Sequence, residues 1–287
     1  MTKILLLGGT GKTARRIAPR LRAAGAEVRT ASRRGSDVRF DWDDVSTHDA
    51  ALVDVHALYL VPPALRLDAA PAVGAFLDRA QAAGVTHVTF LSARGVELAP
   101  EEMMLRAIEK DLEGRSDLTY SILRPGWFMQ DFDEYFFQPA IAAEGLLVAP
   151  TGDGAEAFVH ADDIADVAAA TLLAPARHHR GEYALTGPSA LTFAQVAEKI
   201  SAAAGKPVIH VDPPVAEWIE QAVAGGIPAD YGQVLGWLFD AIRASANAAS
   251  TDDIERVTGH APRSFDDYLA DPATVAAWIA PSAVGAA

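Results

Sequence analysis

The sequence from residue 3 to residue 14 reads Lys-Ile-Leu-Leu-Leu-Gly-Gly-Thr-Gly-Lys-Thr-Ala, and this stretch decides the fold. Its uninterrupted apolar run, Ile4 to Leu7, predicts a strand buried on both faces, as in parallel sheets. A turn of glycines follows. The next segment has apolar residues on one face and arginines on the other, which predicts a helix ending at Gly25. A strand, a glycine turn and a helix in this order open a dinucleotide-binding βαβ unit.

The small residues of the turn have physical roles in such a unit. Gly8 permits the tight turn, Gly11 lets a pyrophosphate approach the backbone, and Ala14 lets the helix pack closely on the strand. The helix N-terminus offers N–H groups and the positive end of a dipole to the phosphates. A P-loop NTPase is excluded, because its motif needs a glycine where Leu6 stands. The cofactor-binding residues predicted in this stretch are Gly8, Thr10, Gly11, Lys12 and Thr13.

The choice of nucleotide depends on the end of the second predicted strand, residues 26–31. In this fold an acidic residue at that position binds the 2′-hydroxyl of NAD, whereas arginine suits the 2′-phosphate of NADP. The tip of this strand carries Arg33 and Arg34, and no carboxylate occurs before Asp37. The sequence therefore favours NADP(H) over NAD(H) as the cofactor. The alternative interpretation is a solvated basic loop without a ligand.

The ends of the later strands supply further candidates, because ligands bind at the carboxyl ends of strands in open α/β sheets. Asp41 and Trp42 follow a short strand. They either contact the adenine or form an N-cap and a half-buried tryptophan before a short helix. The next three predicted strands, residues 55–61, 85–91 and 119–123, lead to four more predicted cofactor contacts, which are Val61, Pro62, Ser92 and Pro125.

Aromatic residues predict the substrate pocket, because they suit a flat apolar ligand. Some of them must also belong to the hydrophobic core; the candidates are Trp127, Phe128, Tyr135, Phe136 and Trp237. No catalytic residue is assigned, and the candidates are Ser92, Tyr135 and His160, although a non-catalytic role is favoured for the histidine. The adjacent His178 and His179 have poor geometry for a metal, so they are predicted to lie on the surface and no metal site is expected.

Composition narrows the class of protein. The 287 residues are 50% hydrophobic and contain no cysteine, which excludes disulfides, thiolate metal sites and cysteine nucleophiles. The formal net charge of −14 argues against nonspecific nucleic-acid binding. No apolar run reaches membrane-spanning or signal-peptide length, so the expected location is the cytoplasm. We expect a small-molecule substrate, no nucleic-acid or membrane partner, and a monomer or homodimer.

Alternating strands and helices predict an α/β fold, with a doubly wound parallel Rossmann sheet and a smaller, mostly helical C-terminal substrate subdomain. Residues 1–150 are assigned to the NAD(P)-binding core. Residues 151–287 are assigned to a C-terminal part that is partly interleaved with the core and closes the substrate cleft. The end of the chain, residues 281–287, is expected to fray.

Several motifs together give the chain a family resemblance. They are Gly8-Gly9-Thr10-Gly11, the Arg33 tip, Leu-Arg-Pro-Gly-Trp-Phe-Met-Gln at 123–130, His-Ala-Asp-Asp-Ile-Ala at 160–165, Leu-Thr-Gly-Pro at 185–188 and Thr-Gly-His-Ala-Pro-Arg-Ser-Phe at 258–265. In this order, over nearly the whole chain, they resemble the NmrA-like branch of the atypical short-chain dehydrogenase/reductases. The resemblance implies a Rossmann core that binds NADP(H). It also implies either reduction of quinones, triphenylmethane dyes or related aromatic compounds, or sensing of the nicotinamide pool without turnover.

One departure from the family pattern concerns the acid–base machinery. Standard short-chain dehydrogenases use Tyr-x-x-x-Lys, which does not occur in this sequence. Some NmrA-like reductases place a lysine four positions before a glutamate on the helix at about residues 101–113. If that glutamate is Glu109, the lysine position holds Leu105, so no proton donor is assigned. Arg124 is interpreted as a structural ion-pair partner. We expect an NADPH-dependent reductase of a small aromatic, quinone-like or carbonyl substrate, and the alternative is a non-catalytic NADP(H)-binding sensor.

Overall fold

The computed structural model of the protein describes residues 2–279, and the tail expected to fray lies outside that range. The chain forms two compact units. Within the described range, unit 1 comprises residues 2–125, 161–185 and 252–260. Unit 2 comprises residues 126–160, 186–251 and 261–279. The units are thus interleaved along the sequence, and the functional division into residues 1–150 and 151–287 stays a prediction. No helix between residues 2 and 279 is long and apolar enough to cross a membrane.

Strands and helices alternate along most of the chain. The strands of the described residues are β1 Lys3–Leu7, β2 Glu27–Ser32, β3 Val38–Arg39, β4 Ala57–Leu60, β5 His87–Leu91, β6 Thr119–Pro125, β7 Leu146–Val148, β8 Ala155–Glu156, β9 Gly181–Leu185, β10 Leu191–Thr192 and β11 Ile209–Val211. Their α-helices are α1 Ala14–Ala23, α2 His48–Leu52, α3 Ala70–Ala82, α4 Met104–Gly114, α5 Gln138–Glu144, α6 Ala161–Leu173, α7 Pro175–His178, α8 Phe193–Ala204, α9 Val215–Ala224, α10 Ala229–Arg243, α11 Asp253–Thr258, α12 Phe265–Leu269 and α13 Pro272–Ile279. Short 3₁₀ turns occur at Val45–Thr47, Val96–Leu98 and Met129–Asp131.

Unit 1 is built on a seven-stranded parallel sheet with the strand order β3-β2-β1-β4-β5-β6-β9. Because the strands are parallel, their carboxyl ends all lie at the same edge. The direction of winding reverses between β1 and β4, and ligands of open α/β sheets bind outside the carboxyl ends at such a point. The glycine turn after β1 lies at this edge.

The sheet is covered on both faces, which explains the uninterrupted apolar run of β1. Residues Ile4 to Leu7 are all 0% exposed. Leu5 and Leu7 belong to a core cluster with residues of α3 and α4, such as Phe76 and Ile108. Helix α1 contacts α6, which itself contacts β4, β5 and β6. The predicted fold class, a doubly wound Rossmann sheet, is confirmed.

Unit 2 is mostly helical. Its strands form two small sheets, in which β7 pairs in parallel with β11 and β8 pairs antiparallel with β10. Its core is rich in aromatic rings; Phe132, Phe158 and Phe193 lie within 5.8 Å of one another, centroid to centroid. Helix α10 packs closely on α9, because Gly232 and Gly236 have no side chains to separate the two helices.

Candidate functional site

The glycine turn has the tight geometry that the sequence predicts. Gly8 has a φ of +64°, a left-handed conformation that favours glycine, and its carbonyl accepts a hydrogen bond from the amide of Gly11 at 2.7 Å. A Cβ on Gly11 would lie 3.0 Å from that same carbonyl oxygen. A side chain at position 11 would therefore press on the carbonyl that closes the turn.

Gly9 is a requirement of the turn to which the sequence analysis gave no role. Its amide donates to the carbonyl of Ala31 at 2.9 Å, so the turn is joined to the end of β2. A Cβ on Gly9 would lie 2.6 Å from Oγ of Ser36 and 2.8 Å from Cβ of Thr30. No real Cβ has such contacts. The two adjacent glycines in the sequence could have indicated this requirement. The residues that surround Gly9, which are Thr30, Ala31 and Ser36, are distant from it in sequence.

Tyr59 supports the start of α1 from inside the sheet. Its hydroxyl donates to Oγ1 of Thr13 at 3.0 Å, and burial raises the pKa of Tyr59 well above its usual value, so the phenol keeps its proton. Thr13 is itself buried, and its hydroxyl oxygen accepts the hydrogen bond from Tyr59. We therefore expect Thr13 to meet a ligand through its backbone N–H, at the helix end where such groups have no intrahelical partner.

Arg33 and Arg34 follow β2 and are both exposed. Within residues 2–279, no carboxylate oxygen lies within 4.0 Å of either guanidinium, whereas most arginines of this acidic chain are paired. The arginine loop lies against the glycine turn, since a Cβ on Gly35 would be 3.4 Å from Cγ2 of Thr10. The loop that carries these two arginines thus lies beside the glycine turn, where the phosphates are predicted to bind.

Trp42 follows β3 and packs against the core of unit 1. The indole of Trp42 packs edge-on against Phe40 and Phe76, with ring centroids 5.1 and 5.4 Å away. A half-buried tryptophan before a short helical turn is therefore found, but the capping residue is Asp44, whose carboxylate accepts from the amide of Ser46. A contact of Asp41 or Trp42 with adenine stays a prediction.

Val61 and Pro62 continue β4 beside the glycine turn. A Cβ on Gly8 would lie 4.0 Å from Cβ of Val61, as expected for neighbouring strands at the point where winding reverses. Pro125 ends β6, and its carbonyl accepts from the amide of Arg94 at 2.9 Å. These residues all lie at the carboxyl edge of the sheet, and their contact with a cofactor stays a prediction.

Ser92 follows β5 and is bound to a buried glutamate. Its Oγ donates to Oε1 of Glu109 at 2.6 Å. The same carboxylate accepts two bonds from Arg124 and one from Arg106. Burial alone would raise the pKa of Glu109, but these hydrogen bonds hold it below its usual range. Glu109 is therefore an anion at neutral pH. The hydroxyl proton of Ser92 is used in its hydrogen bond to Glu109. A catalytic role for Ser92 stays a prediction.

The Glu109 cluster confirms the structural interpretation of Arg124. The guanidinium of Arg124 also binds Glu182 at 2.6 Å, so Arg124 connects α4, β6 and β9. Leu105, which stands at the lysine position of some reductases, packs against the core of unit 1. The helix is therefore anchored to the sheet by an ion pair, with an apolar residue at the predicted lysine position.

The predicted substrate-binding residues all belong to unit 2, but the structure does not bring all of them together. Trp127 stacks on Phe239 at 5.3 Å between ring centroids and meets Phe136 edge-on at 6.0 Å. Tyr135 is 71% exposed and Trp237 is 61% exposed, and neither has a ring contact among residues 2–279. Phe128 is half-buried and its amide donates to Asp131. Trp127 and Phe136 thus contribute to the core of unit 2 as well as to any pocket.

Two histidines are held by neighbours. Nε2 of His160 lies 3.0 Å from Nε2 of Gln130, and its ring meets Tyr268 edge-on. The prediction that His178 lies on the surface is wrong: it is 6% exposed, and its Nδ1 lies 2.7 Å from the hydroxyl of Tyr183. The reason is that β9 brings Tyr183 back over the short helix α7. Only His179 of this pair is exposed.

One group of side chains in unit 1 has ligand atoms close enough to share a cation. It consists of Asp163, Asp166 and His260, whose ligand atoms lie within 4.8 Å of one another. Arg20 binds Asp166 at 2.5 Å, which brings a positive charge into contact with the same group. Arg20 thus already engages Asp166, and we assign no metal to this group.

Comparison with known proteins extends over nearly the full length. The sequence is 38% identical to an uncharacterized oxidoreductase of Bacillus subtilis, YesF, over 93% of this chain and 94% of that protein. It is 33% identical to agroclavine dehydrogenase of Claviceps fusiformis, over 93% of this chain and 96% of the relative. These levels of identity and coverage indicate homology of the whole chain.

The fold is also found in solved structures. The NADPH-dependent quinone oxidoreductase of Escherichia coli, crystallised with NADPH, superposes with a TM-score of 0.73 at 21% identity, over 93% of this chain and 98% of that one. At this identity the likeness concerns the fold alone. A sequence model of the NmrA-like family matches residues 1–279. The chain therefore belongs to the NmrA-like family.

Proposed function

We propose that this protein is an NADPH-dependent oxidoreductase that reduces a small aromatic, quinone-like or carbonyl compound by hydride transfer. The observation that carries the proposal is the arginine loop beside the glycine turn: Arg33 and Arg34 are exposed, and within the described range no carboxylate lies within 4.0 Å of either guanidinium. Arginine forks suit a phosphate monoester, and only NADP(H) has one on its adenosine ribose.

The residues of unit 1 fit such a cofactor. The turn at Gly8, Gly9 and Gly11 carries no side chains and is closed by the hydrogen bond from the amide of Gly11 to the carbonyl of Gly8, so a pyrophosphate could approach its backbone. The N-terminus of α1 would hold the phosphates, and Arg33 and Arg34 would hold the 2′-phosphate. When bound, the nicotinamide supplies the hydride, while the protein supplies position and electrostatics.

The nature of the substrate is inferred from unit 2. Trp127 and Phe136 form part of an aromatic surface, and Tyr135 and Trp237 expose large rings. Such groups bind flat apolar molecules by stacking. The relative named as agroclavine dehydrogenase supports redox chemistry, and its name describes that relative.

The proton required after hydride transfer does not come from Glu109 in this proposal. That carboxylate is an anion with hydrogen bonds to Ser92, Arg124 and Arg106, and the proton of Ser92 is directed at it. We infer that water or a group that positions the substrate supplies the proton. The Glu109 cluster then keeps the ends of β5 and β6 in place.

The exposed arginine loop equally favours a second candidate function, a sensor that binds NADP(H) without turnover. A steady-state assay that follows NADPH consumption with a panel of quinones, triphenylmethane dyes and aromatic carbonyl compounds separates the two. A reductase shows substrate-dependent loss of NADPH above the rate of a Gly11→Val control. A sensor binds NADPH but shows no such loss with any member of the panel.

A further inference from the structure

The loop that carries Arg33 and Arg34 is closed by two serine hydroxyls. Oγ of Ser32 donates to the carbonyl oxygen of Arg34 at 2.5 Å and lies 2.7 Å from Oγ of Ser36. Since a hydroxyl has one proton, the proton between the serines is supplied by Ser36. The two hydrogen bonds connect both ends of residues 32–36 and define the path of the backbone that carries the arginines.

The closed loop rests on the glycine turn. Ser36 occupies the space where a side chain of Gly9 would be, with 2.6 Å between its Oγ and the ideal Cβ position. Gly35 has a φ of +71°, which lets the chain turn between Arg34 and Ser36 without strain. A change in the position of Ser36 would therefore move the loop relative to the turn.

The first carboxylate after the arginines is held on β2. Oδ2 of Asp37 accepts from both the amide and the hydroxyl of Thr30, each at 2.8 Å, and lies 3.5 Å from the guanidinium of Arg22. The hydrogen bonds from Thr30 are the main cause that keeps the pKa of Asp37 below its usual range. An acidic side chain is thus present near the tip, but one of its two carboxylate oxygens, Oδ2, is turned toward donors on β2 and α1.

We propose that Ser32 and Ser36 are positioning residues that make the arginine loop selective for a nucleotide with a 2′-phosphate, and that Thr30 keeps Asp37 from competing. This inference rests on the proposed function. A loop that is already closed loses less conformational entropy when guanidinium groups engage a phosphate. A carboxylate at the same place would repel the phosphate and would suit the 2′-hydroxyl of NAD. Selectivity therefore depends on the hydroxyl pair as well as on the arginines.

The test is the ratio of affinities for NADPH and NADH, which differ only in the 2′-phosphate. In titration calorimetry, Ser32→Ala is expected to raise the Kd for NADPH about tenfold and to change the Kd for NADH less than about twofold. Ser36→Ala, which removes only the bond between the hydroxyls, is expected to show a smaller loss with the same selectivity. Ser201→Ala is the matched control, because its hydroxyl also donates to a carbonyl oxygen, that of Lys206 at 2.8 Å in unit 2.

A triple variant separates positioning from general damage. In an Arg33→Ala/Arg34→Ala background, adding Ser32→Ala is expected to cause no further loss of NADPH affinity, because the groups that it positions are absent. Equal losses for NADPH and NADH, or an undiminished NADPH preference in both serine variants, overturn the inference and leave the proposed function standing. A wild-type protein that binds neither nucleotide overturns the proposed function, and the inference with it.

Discussion

Arg124 binds both carboxylate oxygens of Glu109, with Nε 2.9 Å from Oε1 and Nη2 2.9 Å from Oε2. Glu109 is 0% exposed and Arg124 is 6% exposed, so water does not screen the pair. The bidentate contact joins α4 to β6 beneath the carboxyl edge of the sheet. A buried charge that loses its partner is costly, which makes this pair a sensitive point of unit 1.

Glu109→Gln is expected to lower the free energy of unfolding by about 3 kcal/mol, because it removes the charge that compensates Arg124 in the interior. Urea denaturation followed by circular dichroism measures the change. The matched control is Glu101→Gln, since Glu101 is 71% exposed and lies 3.7 Å from Lys110; its effect is expected to stay below about 0.5 kcal/mol. Equal effects of the two substitutions would contradict the structural role of Glu109.

Gly9→Ala is expected to destabilise the fold by about 2 kcal/mol, because its Cβ would overlap Ser36 and Thr30 and force β2 to shift. Gly114→Ala is the control: no atom lies within 4 Å of the Cβ position there, so this change is expected to be neutral or slightly stabilising. Thermal unfolding of the three proteins checks both statements. An unchanged Tm for Gly9→Ala would show that the turn tolerates a side chain at this position.

His87 should make stability depend on pH. Burial, followed by the charges of His178 and His179, lowers its pKa from 6.5 to about 4. Its ring nitrogens lie 2.9 Å from Oγ1 of Thr119 and 3.2 Å from Oγ1 of Thr89. The unfolded chain therefore binds a proton below pH 6.5 that the folded chain accepts only near pH 4. Stability falls as the pH drops through this window, by about 1.4 kcal/mol per pH unit, or about 3 kcal/mol in all.

Unfolding free energies at pH 7, 6, 5 and 4 for wild type and His87→Gln isolate this contribution, because glutamine keeps polar atoms but does not titrate. The variant is expected to show a shallower acid slope than wild type. Parallel slopes for the two proteins would assign the acid sensitivity to other groups.

Arg33→Asp is expected to raise the Kd for NADPH by at least about tenfold and to change the Kd for NADH much less, because it replaces a phosphate-binding charge by a repelling one. Fluorescence titration of the reduced nicotinamide measures both constants. Arg177→Asp, a charge reversal at an exposed position of α7, serves as the control for the change in net charge. Equal losses for both nucleotides would reject the assignment of Arg33 to the 2′-phosphate.

Local sequence patterns were sufficient to predict the fold class. The apolar run at Ile4 to Leu7 and the glycines after it predicted the first strand and the turn. Burial on both faces of a strand requires apolar residues, and a positive φ favours glycine. The fold class and the family are both confirmed. The interpretation of Arg124 as an ion-pair partner is confirmed too, although its partner Glu109 could not be chosen without knowing how α4 packs on β6.

The remaining features depend on contacts between distant segments. Gly9 is constrained by Ser36 and Thr30, which only the pairing of β1 with β2 brings near. His178 was expected on the surface because adjacent histidines have poor geometry for a metal, yet Tyr183 covers it after the chain returns along β9. The exposure of Trp237 likewise depends on which face of α10 packs on α9. None of these relationships has a periodicity or spacing that a single sequence could reveal.

The most direct test of the account is titration calorimetry of the wild-type protein, stripped of bound nucleotide, with NADPH and with NADH. We expect tight binding of NADPH and much weaker binding of NADH, since the loop that carries the exposed Arg33 and Arg34 lies beside the glycine turn. Binding of neither nucleotide would contradict the central claim that this Rossmann unit holds a dinucleotide. Equal binding of both would contradict its selectivity for the 2′-phosphate.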